Sequence, residues 1–106
     1  MSNNVKIVVF VPESHADAVR QAMSGAGAGK IGNYTNCSFS SKGIGRFQPE
    51  AGANPAIGEV GKLEAVEEGR IEMVCPREVL TSVIAAIKKV HPYEEVAYDI
   101  YPIEIE

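Results

Sequence analysis

Two stretches of this chain repeat one another at a fixed distance, and that repeat limits the possible folds more than any other feature. Val9-Phe10-Val11-Pro12 and Met73-Val74-Cys75-Pro76 are both apolar strand ends that run into proline and then into a helical pattern. Val11 and Cys75 stand 64 positions apart, and so do Val19 and Val83, and Ala22 and Ala86. Two β-α-β halves in one antiparallel sheet give the ferredoxin-like order β-α-β-β-α-β. The expectation is an α+β sandwich with two helices on one sheet face and an extra hairpin or loop at about 40–66. The other face then needs a cover, and a second copy of the chain is the simplest one.

A length of 106 residues predicts a single domain over 1–106, and 45% hydrophobic residues supply one core without staples. The formal charge of −4 argues against a nucleic-acid backbone as partner. Lys88-Lys89 is only a pair, suited to the last turn of a helix. Val5 to Val11 is apolar but only strand length. It has no basic flank or small-residue cleavage site, so it reads as neither signal peptide nor membrane span. Cys37 and Cys75 make no disulfide framework, which points to a reduced, cytoplasmic protein.

The strand Val5–Val11 looks buried on both faces. Ser14 and Asp17 form an approximate capping box, and Ala16, Val19, Ala22 and Met23 recur on one helical face. Gly25-Ala26-Gly27-Ala28-Gly29 ends that helix. It follows a helix and lacks a Gly-Lys-Ser/Thr ending, so it is a helix cap and mobile loop and not a phosphate loop. Lys30–Ser40 reads as a polar strand, Ser41–Gly45 as a turn and Arg46–Gln48 as a return strand. Pro49–Gly61 is a loop of about a dozen residues, long enough to have a purpose. Val60–Val66 is a weaker strand, Glu68-Gly69 a turn, and Arg70–Cys75 an alternating strand. Pro76 suits the first position of a second helix, whose stripe is Val79, Leu80, Val83, Ile84, Ile87 and Val90.

The densest run of binding side chains is His91-Pro92-Tyr93-Glu94-Glu95-Val96-Ala97-Tyr98-Asp99-Ile100-Tyr101. Pro92 pushes His91 out of helix, and the β-prone residues after it predict a strand. Imidazole and carboxylates together suit a divalent metal, with Cys37 as a further ligand. The alternative is that His91-Pro92-Tyr93 shapes the helix exit while the glutamates face water or pair with Lys88 or Arg46. Neighbouring residues on a strand point to opposite faces, so Glu94 and Glu95 cannot share an ion unless the backbone turns. Cys37 as a nucleophile with His91 as its base is a second possibility, against a small buried residue in a sheet. Cys75 precedes a helix N-terminus, which can activate a thiol, yet core packing explains it too. In the loop Gly43–Gly61, Phe47 and Ile57 are candidate anchors for a partner.

Gly32-Asn33-Tyr34-Thr35-Asn36-Cys37-Ser38-Phe39, Gly45-Arg46-Phe47-Gln48-Pro49, Gly52-Ala53-Asn54-Pro55-Ala56-Ile57-Gly58 and His91 to Asp99 resemble the middle domain of the NGG-one-interacting-factor-three family. Longer members of that family are often labelled GTP-cyclohydrolase type-two homologues. Nearly the whole chain is covered. The resemblance implies a free-standing version of this inserted domain, similar to the CutA-like and PII-like folds that commonly trimerise. The dinuclear metal site of the full-length proteins lies on another domain, and its histidine motifs are absent from this sequence. Asn36 stands where many relatives have histidine.

The expected function is a non-enzymatic, cytoplasmic, oligomeric binding module, trimer or dimer, holding a divalent metal or small ligand, or a protein partner. Tyr34, Cys37, Phe47, His91, Tyr93, Glu94 and Glu95 are its candidate ligand-binding residues. His91, Glu94 and Cys37 are the candidate metal ligands among them. The alternatives are a metal-dependent hydrolase resembling the long family members, and a purely structural interaction module.

Overall fold

Alternating apolar side chains and a closing proline set the first strand. A computed structural model describes residues 3–104, in which β1 spans Asn4–Pro12. Pro12 cannot extend the strand, and a 3-10 turn, Glu13–His15, leads into α1, Ala16–Gly25. Strand β2 follows at Phe39–Phe47 and β3 at Glu64–Pro76. A second 3-10 turn, Arg77–Val79, leads into α2, Leu80–Val90, and β4 closes the sheet at Tyr98–Pro102. The sequence repeat is thus a structural repeat. Glu13 and Arg77 open equivalent turns, and Ala16 and Leu80 open equivalent helices, each 64 positions apart.

The sheet is antiparallel in the order β2-β3-β1-β4, the ferredoxin-like arrangement. Val5, Ile7, Val9 and Val11 of β1 and Ile71, Met73 and Cys75 of β3 face the helices. Val19 and Met23 of α1 and Val83 and Ile87 of α2 meet them there. Those side chains are all essentially inaccessible, the packing that holds such a domain together. The opposite face carries Lys6, Val8 and Phe10 of β1 beside Val74, Glu72 and Arg70 of β3. Val8 is fully buried even so, and the Arg70 guanidinium lies 5.8 Å above the Phe10 ring. Phe39 and Tyr101 remain 68% and 44% exposed on this face, so its outer columns are the ones left uncovered. No helix among the described residues is long and apolar enough to cross a membrane.

Several local expectations need correction. Of the polar strand over Lys30–Ser40 only Phe39 and Ser40 are strand, the start of β2; the rest is a turn-rich segment with a bridge between Ile31 and Tyr34. The turn over Ser41–Gly45 is the middle of β2, so the hairpin near 40–66 joins β2 to β3 around a longer loop. Its glycine is there for space. A Cβ on Gly45 would lie 2.1 Å from Glu68 Oε1, so the Glu68 carboxylate fills the space that a side chain there would take. Glu68-Gly69 is no turn either; β3 runs straight through it, and Val60 lies outside any strand. Ser14 caps no helix: it sits in the 3-10 turn with its hydroxyl 2.8 Å from His15 Nδ1. Pro76 likewise ends β3 and does not begin α2.

The glycine-rich segment after α1 is ordered where a mobile loop was expected. Ala28 N–H donates to Met23 O and Gly29 N–H to Val74 O. Gly29 has φ +80°, and a Cβ there would meet the Cys37 backbone and the Met73 methyl at about 2.9 Å. Only glycine combines that backbone with that approach.

Candidate functional site

The end of α2 and the end of β1 build the site together. His91 N–H closes α2 on Ile87 O, and Pro92 then bars further helix. The His91 ring turns inward and is 7% exposed. Its Nε2 lies 2.7 Å from Phe10 O, which can only accept, so Nε2 carries the proton. Its Nδ1 accepts the Tyr93 N–H at 3.1 Å. Both ring nitrogens are therefore committed, in the neutral form. Burial pushes the His91 pKa down, partly opposed by the bond to Phe10.

That fixed ring sets the next one. Tyr93 lies 5.2 Å from the His91 ring, and Phe47 at the end of β2 meets Tyr93 edge-on at 5.6 Å. The Tyr93 hydroxyl donates to Glu68 Oε2 at 3.0 Å. Burial, then the neighbouring Glu68 carboxylate, push the Tyr93 pKa well above the ordinary tyrosine value. Glu68 itself is only 8% exposed. One residue on, Glu94 Oε1 accepts the Asn54 N–H at 2.8 Å and ties the loop after β2 to the segment after α2. Between these walls lies a cavity of about 360 Å³. Phe47, Pro49, Pro55 and Ile57 supply its apolar lining, and Glu68, Tyr93, Glu94 and Glu95 its polar edge.

The structure thus brings together Phe47, His91, Tyr93, Glu94 and Glu95, although His91 acts from behind Tyr93. It does not bring Tyr34 or Cys37 to them. Tyr34 is 74% exposed in the bridged turn with Ile31. Cys37 N–H donates to Gly29 O, and Gly29 is tied to Val74, which pairs with Lys6 of β1. His91 is tied to Phe10, four positions further along the same strand, or roughly 13 Å away. Cys37 therefore joins neither a ligand set with His91 and Glu94 nor a nucleophile–base pair with His91. Its thiol faces Thr35 O at 3.8 Å. Among the described residues no group of three or more His, Cys, Asp or Glu is placed to hold a metal ion. Cys75 is fully buried, and burial raises its pKa, so it is a core residue and not an activated thiol. Lys88 pairs with neither glutamate; its ammonium lies 5.7 Å above the Tyr98 ring.

Glu68 is the position of the candidate site that the sequence did not disclose, while Gly45 and Asn54 lie in the candidate loop Gly43–Gly61 without having been singled out. Glu68 continues the alternation of Glu72 and Arg70 in β3, a pattern that puts it on the face opposite the helices. Nothing in that pattern signals burial, because the covering ring comes from Tyr93, 25 residues later.

No family model matches the chain. A GTP cyclohydrolase 1 type 2 homolog of Bacillus subtilis (strain 168) is 58% identical over 99 residues, which are 93% of this chain and 26% of that protein. The crystal structure of a Bacillus cereus protein related to NIF3 superposes with a TM-score of 0.84 at 51% identity, over 96% of this chain and 26% of that one. The chain spans about a quarter of the length of these relatives. CutA of Archaeoglobus fulgidus, described as a periplasmic divalent cation tolerance protein, superposes with a TM-score of 0.71 at 19% identity, covering 97% of this chain and 86% of its own. The chain is therefore a homologue of one domain-sized segment of the NIF3-related GTP cyclohydrolase 1 type 2 homologs, built on the CutA-like ferredoxin fold.

Proposed function

We propose that this chain is a non-enzymatic binding module, whose ligand enters the cavity between the end of β2 and the segment 91–97. The observation that carries this reading is the cavity itself. It is of small-molecule size, mostly apolar, and edged by a few convergent polar groups. The walls are positioned before any ligand arrives, since His91 fixes Tyr93, Tyr93 fixes Glu68, and Glu94 fixes Asn54. Copies of the chain associate through the sheet face opposite the helices, where Phe39 and Tyr101 are exposed. Two free cysteines accord with a cytoplasmic setting.

Native mass spectrometry on protein purified without chelator or affinity tag tests both parts. A dimer or trimer carrying additional mass is the expected result, and that mass gives the class of what is held. A retained divalent metal would favour the alternative reading as a metal-dependent hydrolase. A bare monomer overturns the oligomer and leaves the open face to a different partner.

A further inference from the structure

The cavity wall holds a carboxylate that only one neighbour satisfies. Glu68 is more than nine-tenths buried, and among the described residues only the Tyr93 hydroxyl donates to it, at Oε2. Its Oε1 occupies the space left by the missing side chain of Gly45, which also lines the cavity. Oε1 is not sealed inside the protein, so a donor or a positive charge in the cavity can reach it. The cavity around it is acidic: Glu50, Glu94 and Glu95 line it with Glu68, against the single cation Arg46. Such a lining repels phosphates and carboxylates and favours a cation. The rest of the wall is Phe47, Pro49, Pro55, Ile57 and the Tyr93 ring, so it also calls for an apolar body. Aromatic rings at 5.6 Å add a surface that attracts an ammonium or guanidinium.

We propose that the cavity takes a small organic cation, an ammonium or guanidinium group on an apolar body, with the charged head on Glu68 Oε1 and the body against Phe47 and Pro49. This rests on the binding-module reading above and names the ligand class that reading leaves open. The Tyr93 hydroxyl keeps Oε2, so the carboxylate stays oriented while Oε1 receives the ligand's N–H. A charge-assisted bond inside a walled site is the strong kind, and its loss is felt in full.

The test is an amide NMR titration of the whole chain with three probes on one three-carbon skeleton: 3-phenylpropylamine, 3-phenylpropanol and 3-phenylpropanoate. The expected result is saturable shifts at Gly45, Phe47, Tyr93 and Glu94 with the amine, at about tenfold or more tighter binding than the alcohol, and none with the acid. Glu68→Gln keeps an acceptor for Tyr93 and puts an uncharged amide NH2, which only donates, in place of Oε1. It should bring amine and alcohol to within about twofold of each other. Equal binding of alcohol or acid, or an unchanged amine affinity in Glu68→Gln, overturns the cationic class while the cavity reading stands. Silence of all three probes at the cavity amides overturns both. If Glu68→Gln does not fold, the charge series on the unaltered chain decides alone.

Discussion

A proton added to His91 has nowhere to go. Nδ1 already faces the Tyr93 N–H, and a second N–H there would turn an accepted hydrogen bond into a repulsion. The folded chain therefore binds that proton less readily than the unfolded chain, whose histidine has the ordinary pKa of 6.5. The sign follows: the stabilisation is fully present above 6.5 and is lost as pH falls through the depressed folded value. Urea midpoints should drop between about pH 7.5 and about pH 5.5, and the drop should shrink in His91→Gln. That variant should also lose about 1–3 kcal/mol at neutral pH, since one buried donor and one acceptor lose geometry together. An undiminished drop in the variant would place the titrating group elsewhere. At this scale the sequence was half legible. His91-Pro92-Tyr93 announces a helix exit by its own chemistry, because proline acts locally. Glu68 announces nothing, because its burial depends on a ring from a different part of the chain.

At the scale of elements, local chemistry and tertiary packing compete, and the segment 30–48 shows which wins. Ser40-Ser41-Lys42-Gly43-Ile44-Gly45 has the composition of a turn, yet β3 offers nine consecutive partners and the segment pairs as β2. The two helices were legible because each carries an apolar stripe that only a helix aligns, and the cores of α1 and α2 use those residues. The glycine-rich exit from α1 is the opposite case from β2: it looks loose in sequence and is tightly packed in space. Gly29→Ala should be costly, about 2 kcal/mol or more, from left-handed strain plus contact with the Cys37 backbone. Equilibrium urea unfolding measures it, and a loss below about 0.5 kcal/mol would mean that the 30–38 segment moves aside freely.

For the whole molecule, the repeat did most of the work. It specified two β-α-β halves, and the two halves interleave so that β1 and β3 form the sheet centre with β2 and β4 outside. Neither half has a core alone, since α1 and α2 pack on the same central pair. What the repeat does not encode is what, if anything, covers the outer face. Phe39→Asp should shift the sedimentation coefficient toward the monomer while leaving stability within about 0.5 kcal/mol, because the side chain is exposed in the single chain. Unchanged sedimentation would move the contact to another surface.

The pairing of β1 with β4 carries a consequence for how such a unit can be carried by a larger one. Val5 lies opposite Pro102 on antiparallel neighbours, so the polypeptide enters and leaves the fold through one doorway, with roughly 5 Å between the two passing backbones. A unit with that geometry can be spliced into a surface turn of a host protein with both seams at a single point. The host need only part its backbone by a strand's width, and neither fold has to bend to admit the other.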